Sequence, residues 1–189
     1  MLTENGYRPP EAEPKSIPAE LTTIEELTDF WLTVWRNNGM PNKDPARERQ
    51  VAAVQAKQTM AEMVGGNPAY FYGIKDGQSL KAVGKLEIRS VGPEKHGYQS
   101  SLAVMEKYRG QGLAQAITET QVAKAREHEC THLDADVFSR NAVGLVTKFN
   151  DGFALTGLTL YDETAGKFEL SKRISGQEPE KPAAPEWIE

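Results

Sequence analysis

The chain has 189 residues, 22 basic and 27 acidic, a formal net charge of −5 and 39% apolar residues. That length suits one domain with tails; no apolar run is long enough for a membrane-spanning helix, and the first residues lack the basic and apolar stretches of a secretory leader. The single cysteine, Cys130, excludes an internal disulfide, and the acidic balance argues against nucleic acid and anionic membranes as partners, so the expected compartment is the cytoplasm.

Prolines and glutamates crowd the two ends. Residues 1–20 read as a flexible Pro/Glu-rich tail, and residues 175–189 as an acidic Pro-rich tail in which Trp187 and Ile188 are the only large apolar side chains. The domain is expected over residues 21–174. Thr23 is placed to cap a first helix, with Glu26 as its capping-box partner. Ile24, Leu27, Phe30, Trp31, Val34 and Trp35 follow a helical period, and Gly39 and Pro41 end it. A second helix is expected from Ala46 to Val64, with Val51, Val54, Met60, Met63 and Val64 as core contacts.

The period then shortens to two. Ala69–Ile74, Ala82–Val91 and Tyr98–Val104 read as three antiparallel strands, with Asp76-Gly77 as a hairpin turn and Gly92-Pro93 as a break. A helix follows from Gly112 to about Glu129, then a strand at Leu133–Phe138. A helix from Asn141 to Asn150 is stopped by Gly152, and a hairpin of Phe153–Tyr161 and Lys167–Ile174 closes the domain. The order implies an α+β fold.

The stretch from Val104 to Ala114 carries the chemical information. It lies between a strand and a helix and contains Arg109, Gly110, Gln111 and Gly112. Glycines there let the backbone approach a ligand, while the first amides of the helix have no intrahelical partner and attract negative charge. The turn is suited to phosphate. It lacks the Lys-Ser/Thr pair of a Walker loop and the third glycine of a dinucleotide fingerprint.

Arg109-x-x-Gly112-x-Ala114 resembles the Arg/Gln-x-x-Gly-x-Gly/Ala signature of the GCN5-related N-acetyltransferases (the GNAT superfamily). Leu102-Ala103-Val104 and Tyr108 before it, and Asn141 with Gly152-Phe153 after it, are similar to further family features. The resemblance implies a mixed, largely antiparallel sheet with helices on both faces, and a first strand that is short, near Ala19–Thr22, or missing. It implies transfer of an acetyl group from acetyl-CoA to an amine by direct attack in a ternary complex, without a metal. Arg109 and the loop Gly110, Gln111, Gly112, Leu113 and Ala114 would then hold the pyrophosphate. Amides of Leu102, Ala103 and Val104 would bind pantetheine and polarise the thioester, and Asn141 would meet the pantetheine arm from the other side.

The attacking amine must be neutral, so a base is needed. Glu87 is the first candidate, although Lys85 and Arg89 share its strand face and could simply pair with it. Asp136, and Ser100 acting through water, come next. Many family members protonate the leaving thiolate with a tyrosine seven residues after the Asn; here that position holds Lys148. Burial would make Lys148 an acid, while the plainer reading is contact with a CoA phosphate or solvent. His128, Cys130 and His132 invite a zinc reading but span a helix end and a strand, so a structural role and no metal are expected. The first two helices shape the acceptor pocket in that family, so the resemblance implies that Trp35, Arg36 or Asn37 approaches an acceptor, while Tyr70, Phe71 and Tyr72, with Phe30 and Trp31, read as core and cleft walls.

Residues 21–174 hold 19 acidic and 19 basic residues, so the whole net charge belongs to the ends and says nothing about the acceptor. The expected function is acetyl transfer to a primary amine of a small molecule or protein. The alternatives are a CoA-binding module that has lost catalysis, as the missing tyrosine suggests, and a toxin-like enzyme acting on aminoacyl-tRNA, which the absence of a basic surface disfavours. A homodimer stays open.

Overall fold

The computed structural model describes residues 17–37, 44–77, 79–161 and 165–175. The rest of the two expected tails, with Trp187 and Ile188, and the helix stop at Gly39 and Pro41, lie outside them. So do the side chains of Met63 and Val64.

The capping box forms as expected. Glu26 N donates to Thr23 Oγ1 at 3.2 Å, and Thr23 N donates back to Glu26 Oε2 at 3.2 Å. It opens α1 (Ile24–Asn37), which buries Leu27, Phe30 and Val34. The second helix, α2 (Pro45–Gly65), starts at Asp44, whose carboxylate accepts from the amides of Ala46 and Arg47 at 3.1 Å. Its helical phase differs from the expected one. Val51 and Val54 are exposed, and Ala52, Ala56 and Thr59 are turned inward. Small residues at this spacing let α2 lie close against α1, where Trp31 Nε1 donates to Thr59 Oγ1 at 3.2 Å.

Seven strands form one sheet in the order β1-β2-β3-β4-β5-β7-β6. They are β1 (Ala19–Glu20), β2 (Ala69–Asp76), β3 (Ser79–Val91), β4 (Glu94–Val104), β5 (His132–Phe138), β6 (Ala154–Leu160) and β7 (Gly166–Arg173). The first strand is present but only two residues long, paired with Tyr72 and Gly73. Every pairing is antiparallel except β4 with β5. The third and fourth strands are longer than expected, because Gly92-Pro93 makes a tight hairpin between them rather than a break.

The remaining helices, α3 (Leu113–Glu127) and α4 (Ala142–Asn150), flank this sheet. Ile117 and Ala125 of α3, with Leu145 of α4, pack in one core with Leu86, Ile88, Leu133 and Leu170. Gly84 permits this approach: a Cβ there would lie 2.6 Å from Ile117. The opposite face is covered differently. The helix α1 packs over Phe71, Val83 and Ala103, and that cluster contains nothing from β5 or β7. Beyond its reach the register lines up a polar surface: Lys85, Glu87 and Arg89 stand opposite Ser100, Tyr98 and His96, and these continue onto His132 and Asp134. No described helix is long and apolar enough to cross a membrane.

Candidate active site

The parallel pair β4–β5 is hydrogen-bonded over only part of its length. Partners run from His96↔His132 to Gln99↔Ala135 and stop there. Beyond, β5 continues to Phe138 against β7 alone, and β4 continues to Val104 against β3 alone. The two strands part, leaving Ser100 to Val104 without a strand partner on the β5 side among the described residues.

A bulge accompanies the parting. The register with β3 slips between Lys85↔Ser100 and Val83↔Ala103, and Ser101 takes a left-handed φ of 53°. After the bulge Leu102 and Val104 pack toward α3, and Ala103 toward α1. The Met105 amide donates to Lys81 of β3 at 2.9 Å. Strand alternation therefore turns the Val104 amide the other way, into the opening. On that open side Arg109 Nε reaches the Val104 carbonyl at 3.4 Å, and the guanidinium also donates to Asn37 Oδ1 at 3.1 Å. Asn37, expected to approach an acceptor, instead orients Arg109.

The loop into α3 follows at once. Gly110 and Gly112 have φ of 76° and 73°, backbone that favours glycine, with open space where a Cβ would stand. Of the four α-helices among the described residues, α1 is capped by Thr23, α2 by Asp44 and α4 by Asn141. Only α3 has no side-chain cap. Its first intrahelical bond is made by the Ala116 amide, so the amides of Leu113, Ala114 and Gln115 stay available at the positive end of the helix dipole. Arg109, Gly110, Gln111 and Gly112 are exposed beside them. This arrangement fits a pyrophosphate.

Asn141 marks the other wall. Its Oδ1 accepts from the Gly144 amide at 2.9 Å, which starts α4 just past the end of β5. A side chain at Gly144 would collide with it at 2.5 Å. The expected solvent contact of Lys148 does not hold: Lys148 is 5% exposed. Its Nζ has no hydrogen-bond partner among the described residues and lies 4.5 Å over the ring of Phe153. Burial pulls its pKa down to about 8, with Lys172 pulling the same way and Asp151 opposing.

Glu87 is half-buried and pairs with both Lys85 and Arg89. Burial pushes its pKa up, but the hydrogen bonds from the two cations outweigh that and hold it below the ordinary range. It is an ionised carboxylate. An open cavity of about 200 Å³, lined by Thr59, Asn67, Phe71, Lys85 and Glu87, lies between α2 and the sheet. Asp136 accepts from Tyr98 Oη at 2.7 Å and pairs with Lys167. Ser100 is half-buried opposite Lys85.

Histidines 128 and 132 separate. His128 bonds Tyr70 Oη at 2.5 Å and Cys130 is buried, while His132 joins Glu94 and His96 across the sheet. The sequence reading missed that trio. Its only signal was polar residues at every second position of β4 (Glu94, His96, Tyr98, Ser100) and β5 (His132, Asp134, Asp136).

An open mixed sheet whose parallel strands part beside an uncapped helix N-terminus is the architecture that the acetyltransferase resemblance implied. The family described as "Acetyltransferase (GNAT) family" matches residues 25–150, and the chain belongs to it. No curated protein matches the sequence. Solved structures share the fold at low identity. The ribosomal-protein-S18-alanine N-acetyltransferase of Escherichia coli is 16% identical, with a TM-score of 0.61 over 86% of this chain and 96% of its own. An acetyl transfer enzyme of Salmonella typhimurium that modifies the N-terminal serine of a 50S ribosomal subunit protein is 11% identical, with a TM-score of 0.65 over 82% and 93%. The microcin C7 self-immunity acetyltransferase MccE, solved with acetyl-CoA and AMP, is 14% identical, with a TM-score of 0.64 over 86% and 98%.

Proposed function

We propose that the protein is an acetyl-CoA-dependent N-acetyltransferase that acetylates a primary amine, on a small molecule or a protein, by direct attack. The observation that carries this reading is the uncapped N-terminus of α3 beside the parted strands. Arg109 and the amides of the loop Gly110–Ala114 hold the pyrophosphate. The Val104 amide, with Leu102 and Ala103 next to it, donates to the thioester oxygen as that oxygen gains charge. Asn141 borders the pantetheine arm. Glu87, kept ionised, attracts the ammonium form of the acceptor and passes its proton to water, with Ser100 nearby on the same face. Lys148 supplies the proton for the departing thiolate: a pKa near that of a thiol suits this task, and the buried ammonium has no hydrogen-bond partner among the described residues.

The missing tyrosine favours one rival, a CoA-binding module without turnover. Thermal unfolding with millimolar acetyl-CoA tests what the two readings share; an unchanged midpoint overturns both. Thiol release over a panel of primary amines then separates them. Release with at least one amine supports the enzyme, and binding without release on any amine selects the module.

A further inference from the structure

We propose that Glu94, His96 and His132 form a binding site for a divalent transition-metal ion, with Zn²⁺ as the ion best matched to the donor set. The site lies on the open polar face, at the hydrogen-bonded end of β4–β5, away from the parted end. His96 and His132 are direct partners in the parallel register, so their side chains leave the same face. Glu94 stands two residues before His96 on that face. The imidazole rings are 4.7 Å apart, tilted by 36°.

Three features point to a metal rather than to surface polarity. The first is distance. Glu94 Oε2 is 3.5 Å from His96 Nε2 and 3.5 Å from His132 Nδ1, and one donor atom from each residue falls within a 4.8 Å group. Ligands about 2.1 Å from a tetrahedral zinc are about 3.4 Å from each other. Two edges of the tetrahedron are therefore nearly formed, and small rotations of the two rings close the third.

The second feature is the tautomer of His96. Its Nδ1 donates to Asp134 Oδ2 at 2.7 Å, and Asp134 Oδ1 accepts from Ser171 Oγ at 2.5 Å. In the neutral ring the bond to Asp134 puts the proton on Nδ1 and leaves the Nε2 lone pair facing the Glu94 carboxylate. A metal ion that takes the place of a proton between Nε2 and the carboxylate would keep both atoms where they stand. A carboxylate on the far nitrogen of a ligating histidine also fixes the ring and raises its basicity.

The third is the anchoring of Glu94 itself. Thr131 Oγ1 donates to its Oε2 at 2.6 Å, and Thr131 Oγ1 is also 2.9 Å from His132 Nδ1. A hydroxyl has one proton, and Thr131 gives it to Glu94. On metal binding the His132 proton moves to Nε2 and Nδ1 becomes the ligand. Two neutral imidazoles and one carboxylate leave the fourth position for water, and the charge of Asp134 balances the remaining positive charge. The ion would tie the start of β4 to the start of β5.

The chain has three histidines and one cysteine, so the background is low. The test is titration of untagged, chelator-stripped full-length protein with Zn²⁺ against a chromogenic competitor, with thermal unfolding in parallel. One equivalent should bind and raise the unfolding midpoint, and EDTA should reverse both. His96→Ala and His132→Ala should each weaken binding at least about a hundredfold, and Asp134→Asn about 10–100-fold. His128→Ala should bind as the parent does. Co²⁺ should give visible bands of a low-coordinate nitrogen and oxygen site. Circular dichroism of the stripped variants checks that they fold, and Glu94→Gln serves where an alanine variant does not. Absence of binding at tens of micromolar Zn²⁺, or equal binding by the His96→Ala/His132→Ala double variant, overturns the proposal. The readout does not involve acetyl transfer.

Discussion

The two ends of the β4–β5 pair use opposite resources. From His96 to Gln99 the backbone groups facing β5 are spent on the ladder, so only side chains are left to do chemistry, and the face gathers Glu94, His96, His132 and Asp134. From Ser100 to Val104 the ladder is gone and the backbone becomes the reagent. There the side chains are mostly packing groups: Leu102 and Val104 face one core and Ala103 the other. The change occurs at the bulge, where Ser101 adopts its left-handed turn. A strand can thus offer its amides to a ligand only where it gives up a neighbour, and the cost of unpaired backbone is offset by whatever binds there.

The largest effect should come from Lys148, the proposed acid. Lys148→Met keeps the length of the side chain and removes the proton. It should lower kcat about 100-fold, the low end for loss of an acid, with little change in KM for acetyl-CoA. Lys148→Tyr should restore part of it. Unchanged kcat in Lys148→Met would leave the parted end as a binding feature only. The same residue has a signature in stability. Its folded pKa lies below the unfolded value, so between about pH 8 and 10 the unfolded chain binds a proton that the folded chain does not. Stability should rise with pH through that window, by at most about 1.4 kcal/mol per pH unit from this group, and Lys148→Met should flatten the rise. Above pH 10 the buried Tyr72 and the half-buried Tyr98, whose pKa values desolvation raises, reverse the trend.

A smaller effect tests the backbone side of the contrast. Gly112→Val forces a β-branched residue into a φ of 73° with no steric obstacle other than its own backbone. The strain is about 1–3 kcal/mol, relieved if the loop turns its amides away. KM for acetyl-CoA should rise about tenfold or more, read from initial rates, while Zn²⁺ affinity at the closed end stays unchanged. Equal losses at both ends would mean that the bulge does not insulate them.

What the sequence revealed follows the range of the interactions. The Thr23–Glu26 box and the Arg109–Ala114 turn are local, and residue types at fixed spacing specify them. The family fold was legible through the resemblance that this turn carries, which left the first strand either short or missing. The phase of α2 was not, because Val51 and Val54 look like core residues until α1 selects Ala52 and Ala56 for close approach. Nor was the burial of Lys148, which reads as a surface charge unless the position of α4 over Phe153 is known. The Glu94–His96–His132 group depends on a parallel register between distant segments, which no local pattern encodes.

The smallest expected effect is a control on the capping argument. Three helices satisfy their first amides with side chains and α3 does not. If that difference is functional, removing a cap elsewhere must be a pure stability event. Asp44→Ala deletes the carboxylate that accepts from Ala46 and Arg47, and should cost about 1 kcal/mol in denaturant unfolding. Acetyl-CoA affinity and Zn²⁺ affinity should both stay at parent values, since α2 contributes to neither end of β4–β5. A loss of acetyl-CoA affinity in Asp44→Ala would show that α2 start and α3 start are coupled, with the link from α1 through Asn37 to Arg109 as the connection to test next.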